Sequence, residues 1–222
     1  MPPGTCISGL LMGYDRLKVL SKGTTDLRRL HSTYPMRTLK DLRGRKFRVS
    51  GKFHVDLFKS LGAIPISFPV QQTAENLSRG LVDGVLMDTS AVFNFRLNEV
   101  VTYYLKTPAM GCSASAIVMM QEKFDSLPRR GKLAIEMYRG RPIIYPAANV
   151  MWGESKKYLT QAEQDPRYTV HDATPAEMKE WKTAMQPIID KWKQEYPKGE
   201  MLIREFQREL EWIRAGGFGI AQ

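Results

Sequence analysis

Residues 41–49 read Asp-Leu-Arg-Gly-Arg-Lys-Phe-Arg-Val, and this stretch decides the fold. The alternation of polar and apolar residues over 46–50 predicts a short, half-buried strand. Arg48 lies in the middle of that strand and should point away from Phe47 and Val49, because successive strand side chains face opposite sides of a sheet. Beside a cleft, its guanidinium could bind a carboxylate ligand through two parallel hydrogen bonds. The pattern alone favours the simpler alternative, an edge-strand arginine in water or paired with a nearby acid.

Similar patterns along the chain predict alternating strands and helices. Predicted strands lie at 17–21, 46–50, 64–69, 81–87, 113–120 and 168–170, and the apolar run 113–120 is expected to be buried. Predicted helices lie at 52–61, 73–79, 127–139, 174–192 and 202–213. Pro142 and Pro146 should interrupt a helical region that otherwise reaches about residue 161. This order of elements predicts an α/β fold with a largely parallel sheet.

The composition excludes several classes of protein. The chain of 222 residues is 43% hydrophobic, which excludes a disordered tail, and it has no apolar run of the ~20 residues that span a bilayer. Cys6 and Cys112 lack partners at redox or metal spacing and are expected to be buried free thiols. Three scattered histidines predict no metal site. Asp83 and Asp88 could form an acid/base pair, but a turn and a loop aspartate are favoured, so we expect neither an enzyme nor a cofactor.

The charge of the chain is unevenly distributed. The formal net charge is +10, and residues 1–60 hold 13 Lys or Arg against 4 Asp or Glu. One interpretation is a small basic nucleic-acid-binding protein that uses the segment 28–59. Against it, the basic residues alternate with strand apolars rather than lying along a helix face with stacking aromatics. Most of them are expected to be solvated surface: Arg37, Lys40, Arg43, Arg45, Lys52 and Lys59.

Three elements in order give the sequence a more specific resemblance. After 41–49 come Leu-Gly-Ala-Ile-Pro at 61–65 and Gly-Leu-Val-Asp-Gly at 80–84. Together they closely resemble the solute-binding proteins of tripartite ATP-independent periplasmic (TRAP) transporters, over roughly residues 17–214. The resemblance implies a periplasmic-binding-protein-like fold, in which two α/β lobes close on a small organic acid and a long helix braces both. It also implies that a membrane permease receives the ligand.

The resemblance implies particular ligand-binding residues as well. Arg48 corresponds to the arginine of the family's carboxylate clamp. A second family arginine falls near Arg28, although a one-residue gap would make it Arg29. Further contacts with the ligand are implied just after the third element, at Met87, Asp88 and Thr89. An acidic side chain there would repel a carboxylate unless it binds an amine or a hydroxyl of the ligand.

The resemblance also predicts how the chain is divided. We expect an irregular segment at 1–16, a complete second lobe at 17–112, a partial first lobe with the connecting helix at 113–165, and C-terminal elements that pack on the lobes at 166–222. A first lobe truncated at its N-terminus would leave an apolar face uncovered, through which the chain could form a homodimer. The resemblance implies a periplasmic location. The chain shows no signal peptide, which implies a cytoplasmic protein if this start is genuine.

Overall fold

The computed structural model describes residues 16–106 and 108–216. Its strands are β1 (Leu17–Thr24), β2 (Arg28–Ser32), β3 (Lys46–Arg48), β4 (Ile64–Ile66), β5 (Gly84–Asp88), β6 (Tyr103–Leu105), β7 (Ala114–Met120) and β8 (Thr169–His171). Its α-helices are α1 (Lys52–Ser60), α2 (Thr73–Ser78), α3 (Thr89–Asn94), α4 (Gln121–Asp125), α5 (Arg129–Tyr138), α6 (Arg141–Gln164), α7 (Pro175–Glu195) and α8 (Gly199–Arg214). Short 3₁₀ turns occupy 39–42, 70–72 and 97–99.

A six-stranded sheet with the order β4-β3-β5-β2-β6-β8 forms the larger unit. The expected largely parallel sheet is instead mixed, because β2 runs antiparallel to both of its neighbours, while the other pairs are parallel. β2 enters the sheet directly from β1, which belongs to the other sheet. No crossover helix precedes it, so the handedness rule for parallel strands does not set its direction. The proline-containing β4 lies at the edge, as expected.

Each face of this sheet buries its own apolar cluster. Phe47, Phe58 and Trp181 lie in one cluster, which joins the sheet to α1 and α7. The second cluster joins the opposite face to α6 and to the helices after β4 and β5. Strand alternation places Phe47 in the first cluster and directs its neighbour Arg48 to the other side of the sheet. This arrangement brings an arginine into a largely apolar surrounding.

The two-stranded sheet of β1 and β7 forms a smaller unit. The expected boundary at residue 112 places β1 in the second lobe, whereas the structure pairs β1 with β7, outside the six-stranded sheet. α6 contacts both units: Ile144 lies where a Cβ at Gly23 of β1 would stand, and Ser155 donates a hydrogen bond of 2.5 Å to Asp26, just before β2. The lobe limits at 112 and 165 remain predictions.

The structure corrects three local expectations. Pro142 and Pro146 do not break α6, which is continuous from residue 141. Pro142 lies in the first turn of the helix, where a backbone amide has no acceptor within the helix. Pro146 removes a single backbone hydrogen bond near the start of the helix. β7 is a strand, but it is mostly exposed rather than buried. Cys112 is a free thiol and is exposed rather than buried, while Cys6 lies outside the described residues.

Other surface features agree with the sequence or add to it. The six basic residues predicted to be solvated are all exposed. The predicted helix start at Thr174 has both hydrogen bonds of a capping box with Glu177. Within residues 16–106 and 108–216, no helix is long and apolar enough to cross a bilayer.

Candidate ligand-binding site

A cleft of about 200 Å³ opens at the end of the six-stranded sheet where Arg48 ends β3, Asp88 ends β5 and Arg28 begins β2. It lies where β3, β5 and β2 are neighbours, next to the start of α3. Four of the five residues that the sequence singled out line it: Arg28, Arg48, Met87 and Asp88. Its other walls are largely apolar and are formed by Ser50, Val70, Leu86, Ala91 and Phe95.

Arg48 is the most unusual residue of the cleft. It is only 9% exposed, its Nε has no hydrogen-bond partner, and its Nη2 makes one long bond of 3.4 Å to the carbonyl of Phe68. Burial lowers the pKa of the Arg48 guanidinium, and the neighbouring Arg28 cation lowers it further. Arginine nevertheless stays charged in proteins. Arg48 is therefore a desolvated cation with unused donors, an arrangement that an anion would stabilise.

Arg28 stands beside Arg48 and is held in place by neutral partners. Its Nη1 donates to Ser50 Oγ at 2.8 Å, and its Nη2 donates to Ser113 Oγ. Its backbone amide and carbonyl bond to residues 111 and 110, in the segment that joins β6 to β7. Among the described residues, no carboxylate forms an ion pair with Arg28 or Arg48. Two adjacent guanidinium groups therefore share a cleft without a counter-ion.

The two candidate second arginines have different surroundings. Arg28 is paired with Asp88 across β2 and β5, and both residues line the cleft. Arg29 does not line the cleft; its Nε donates to the carbonyl of Lys106 at 3.0 Å and its Nη1 lies 3.4 Å from Asp26. Arg28, and not Arg29, therefore lies beside Arg48 in the cleft.

Asp88 and Thr89 diverge although they are adjacent in sequence. The Asp88 side chain caps α3, and its Oδ1 accepts hydrogen bonds of 2.9 Å from both Ala91 N and Ser90 Oγ. The fully buried Thr89 lies outside the cleft, with its hydroxyl 3.0 Å from that of Tyr104. It lines a separate cavity of about 240 Å³ beside α6, together with Arg29.

Several residues of the cleft were missed by sequence reasoning. Ser50 lies two residues after Arg48, and the two-residue period of a strand could have placed it on the same face. Val70, Ala91 and Phe95 come from turns and helices after β4 and β5, and no local signal indicates that they converge here.

The basic segment 28–59 does not form a single surface. Arg28 and Arg48 line the cleft, Arg29 lines the separate cavity beside α6, and cations such as Arg37 and Lys59 are exposed but line neither. A nucleic-acid-binding stripe requires a continuous row of cations along the backbone of its partner. The structure therefore does not favour that alternative.

Comparisons with known proteins agree with this architecture. Residues 12–195 match the family described as bacterial extracellular solute-binding protein, family 7. The C4-dicarboxylate-binding periplasmic protein DctP of Rhodobacter capsulatus is 25% identical over 186 residues, which are 83% of this chain and 52% of that protein.

Solved structures show the same fold. A TRAP periplasmic solute-binding protein from Desulfovibrio salexigens superposes with a TM-score of 0.74 at 25% identity, over 94% of this chain and 65% of that one. One from Bordetella bronchiseptica, with bound (R)- and (S)-mandelate, gives a TM-score of 0.80 at 18% identity, over 90% and 65%.

The chain spans about half to two thirds of the length of these relatives. The match to the family nevertheless covers residues 12–195, which are most of this chain. The relatives with solved structures have the two-lobe fold that the sequence predicted. The chain belongs to family 7 of the bacterial extracellular solute-binding proteins, the family of the TRAP solute-binding proteins.

Proposed function

We propose that this chain captures a small carboxylate in the cleft, as the solute-binding subunit of a TRAP-type transporter. The observation that carries the proposal is the buried guanidinium of Arg48, which has a donor without a partner and stands beside Arg28. A carboxylate presents two oxygens in a geometry that matches the guanidinium fork, and its charge would compensate two cations at once. Thr89, which lies outside the cleft, has no contact with the ligand in this proposal.

The relatives support the class of ligand. The curated relative is named for C4-dicarboxylates, and the structure from Bordetella bronchiseptica holds mandelate. Both ligands are small organic acids. We propose the same class for this chain, with a periplasmic location and delivery of the acid to a TRAP membrane permease.

A binding role fits the cleft better than an enzymatic one. Its polar groups are two guanidiniums, a serine hydroxyl and a carboxylate that caps a helix. A hydrolytic site would need a nucleophile with a base within hydrogen-bond reach. Ser50, the hydroxyl that lines the cleft, instead accepts a hydrogen bond from the cation of Arg28.

Matched acids and amides test the proposal. We would measure the thermal stability of the 222-residue protein with lactate and propionate, and with lactamide and propionamide, at equal millimolar concentrations. A ligand that binds the folded state raises the melting temperature in proportion to RT ln(1 + [L]/Kd). We expect at least one acid to stabilise the protein and its amide to have no effect. Equal effects of acid and amide, or no effect of either acid, would contradict the proposal.

We also propose that a second copy of the chain covers the open edge of β7. Within the described part of the chain, this edge has no partner, and its seven residues are uncharged and mostly exposed. β1, by contrast, carries Lys18 and Lys22, a common protection of edge strands. Antiparallel pairing of β7 with its own copy across a twofold axis would produce a four-stranded sheet.

The oligomeric state tests this second proposal. Light scattering after size exclusion should give a dimer for the wild type and a monomer for Ile117→Lys, which places a charge on β7. Leu133→Lys, at a similarly exposed position on α5, is the matched control and should remain dimeric. A monomeric wild type, or a control as monomeric as Ile117→Lys, would exclude pairing through β7.

A further inference from the structure

The cleft contains a carboxylate next to its two guanidinium groups. Asp88 and Arg28 are directly opposite each other across β5 and β2, and both line the cleft with Arg48. The three side chains together carry a net charge of +1. A ligand with one carboxylate balances that charge, whereas a second carboxylate would exceed it and would be repelled by Asp88.

The two oxygens of Asp88 have different surroundings. Oδ1 accepts both hydrogen bonds of the helix cap, from Ala91 N and Ser90 Oγ. Oδ2 accepts no hydrogen bond from any of the residues that the structure describes. An ionised carboxylate is only an acceptor, so the group that completes it must be a hydrogen-bond donor. The basic groups of the cleft do not supply one, since neither Arg28 nor Arg48 forms an ion pair with Asp88.

We infer that Asp88 selects monocarboxylic acids that carry a hydroxyl group close to the carboxylate. This inference rests on the proposed function. Arg48 and Arg28 bind the carboxylate of the ligand, and the hydroxyl donates to Oδ2 of Asp88. The remaining carbon atoms contact the apolar wall formed by Val70 and Phe95. The volume of about 200 Å³ corresponds to roughly seven water molecules at ~30 Å³ each, which restricts the ligand to a small acid.

A single substitution separates the charge of Asp88 from its structural role. An asparagine at this position would keep an oxygen that accepts from Ala91 N, and asparagine is as good an N-cap as aspartate. Asp88→Asn should therefore leave α3 and the overall stability unchanged. It removes the negative charge that attracts the hydroxyl and repels an acid without one. Asp190→Asn, on the exposed surface of α7, is the matched control.

The experiment is calorimetric titration of the three proteins with two pairs of acids and with succinate. Lactate and propionate differ only in the hydroxyl, as do mandelate and phenylacetate. In the wild type and in Asp190→Asn we expect at least one hydroxy acid to bind about tenfold or more tighter than its partner, because a hydrogen bond to a charged acceptor has about that effect. Succinate should bind more weakly than that hydroxy acid.

In Asp88→Asn the ratio within the pair should fall to about threefold or less, mainly because the acid without a hydroxyl now binds more tightly. If the wild type binds both members of each pair equally, or if Asp88→Asn keeps the wild-type ratio, the inference is wrong while the proposed function stands. Tighter binding of succinate than of the hydroxy acids would also overturn it. If no acid binds, the proposed function itself fails.

Discussion

Replacing His31 with phenylalanine should make the stability of this protein less sensitive to acid. The imidazole is 1% exposed, stacks on Tyr104 at 4.6 Å, and neither ring nitrogen has a hydrogen-bond partner. Burial, together with the nearby Arg29 cation, lowers the pKa of His31 from 6.5 to about 3. Phenylalanine keeps an aromatic ring at this position and removes the group that titrates.

The sign of the effect follows from which state binds the proton. Between pH 6.5 and about 3, the unfolded chain protonates His31 and the folded chain does not, so the free energy of unfolding falls as the pH falls. For a pKa of 6.5 in the unfolded state, the loss is about 0.2 kcal/mol at pH 7 and about 2 kcal/mol at pH 5. Above pH 7 His31 has almost no effect, because it is neutral in both states.

Urea unfolding at pH 7, 6 and 5, followed by tryptophan fluorescence, measures this loss. The free energy of the wild type minus that of His31→Phe should fall by about 2 kcal/mol between pH 7 and pH 5. Taking the difference between the two proteins cancels the other titrating groups. A difference that stays constant over this range would show that the folded protein protonates His31, and would refute the buried, neutral imidazole.

Two further substitutions test the local structure by the same unfolding assay. Thr174→Ala removes the capping hydroxyl of α7 and should lower the free energy of unfolding by about 1 kcal/mol, whereas Thr174→Ser should have almost no effect; equal losses would contradict the cap. Gly84→Ala places a Cβ 2.6 Å from the carbonyl of His31 and against the ring of Phe47, and should destabilise by about 1–3 kcal/mol. Its control, Gly153→Ala in the open middle of α6, should stabilise by up to about 1 kcal/mol; a neutral Gly84→Ala would contradict the close packing.

The sequence predicted the part of the site that depends on local periodicity. The orientation of Arg48 follows from its position between two apolar residues, and the structure shows the same orientation. The choice between Arg28 and Arg29 depends on which of them lies at the cleft where β2, β3 and β5 meet, which is a long-range property. The orientation of the Thr89 side chain could not be predicted from periodicity either, because the chain changes from strand to helix at that residue.

The wrong expectations about the fold also concern properties that depend on distant parts of the chain or on position within an element. The apolar run of β7 predicts burial, but burial depends on elements packed over the faces of the strand, and β7 remains mostly exposed although it pairs with β1. Pro146 predicts a break in the helix, but the free energy that a proline costs depends on its position. Pro146 lies only five residues after the start of α6, and the helix continues through it. The mixed sheet could not be predicted either, since the direction of β2 follows from its connection to a strand in the other sheet.

The most direct test of the account is the affinity of Arg48→Gln for the acid that binds the wild type most tightly. Removing one partner of a buried, hydrogen-bonded charge pair costs about 2 kcal/mol or more, so we expect the dissociation constant to rise at least about thirtyfold. Arg43→Gln, at an exposed position before β3, is the control and should bind within about twofold of the wild type.

The stability of the same variants separates a lost contact from a damaged fold. Arg48→Gln should unfold at no lower urea concentration than the wild type, because it removes a desolvated charge that has no counter-ion in the folded chain. Weaker binding together with undiminished stability is the result that this account predicts. An Arg48→Gln protein that binds the acid as tightly as the wild type would contradict it.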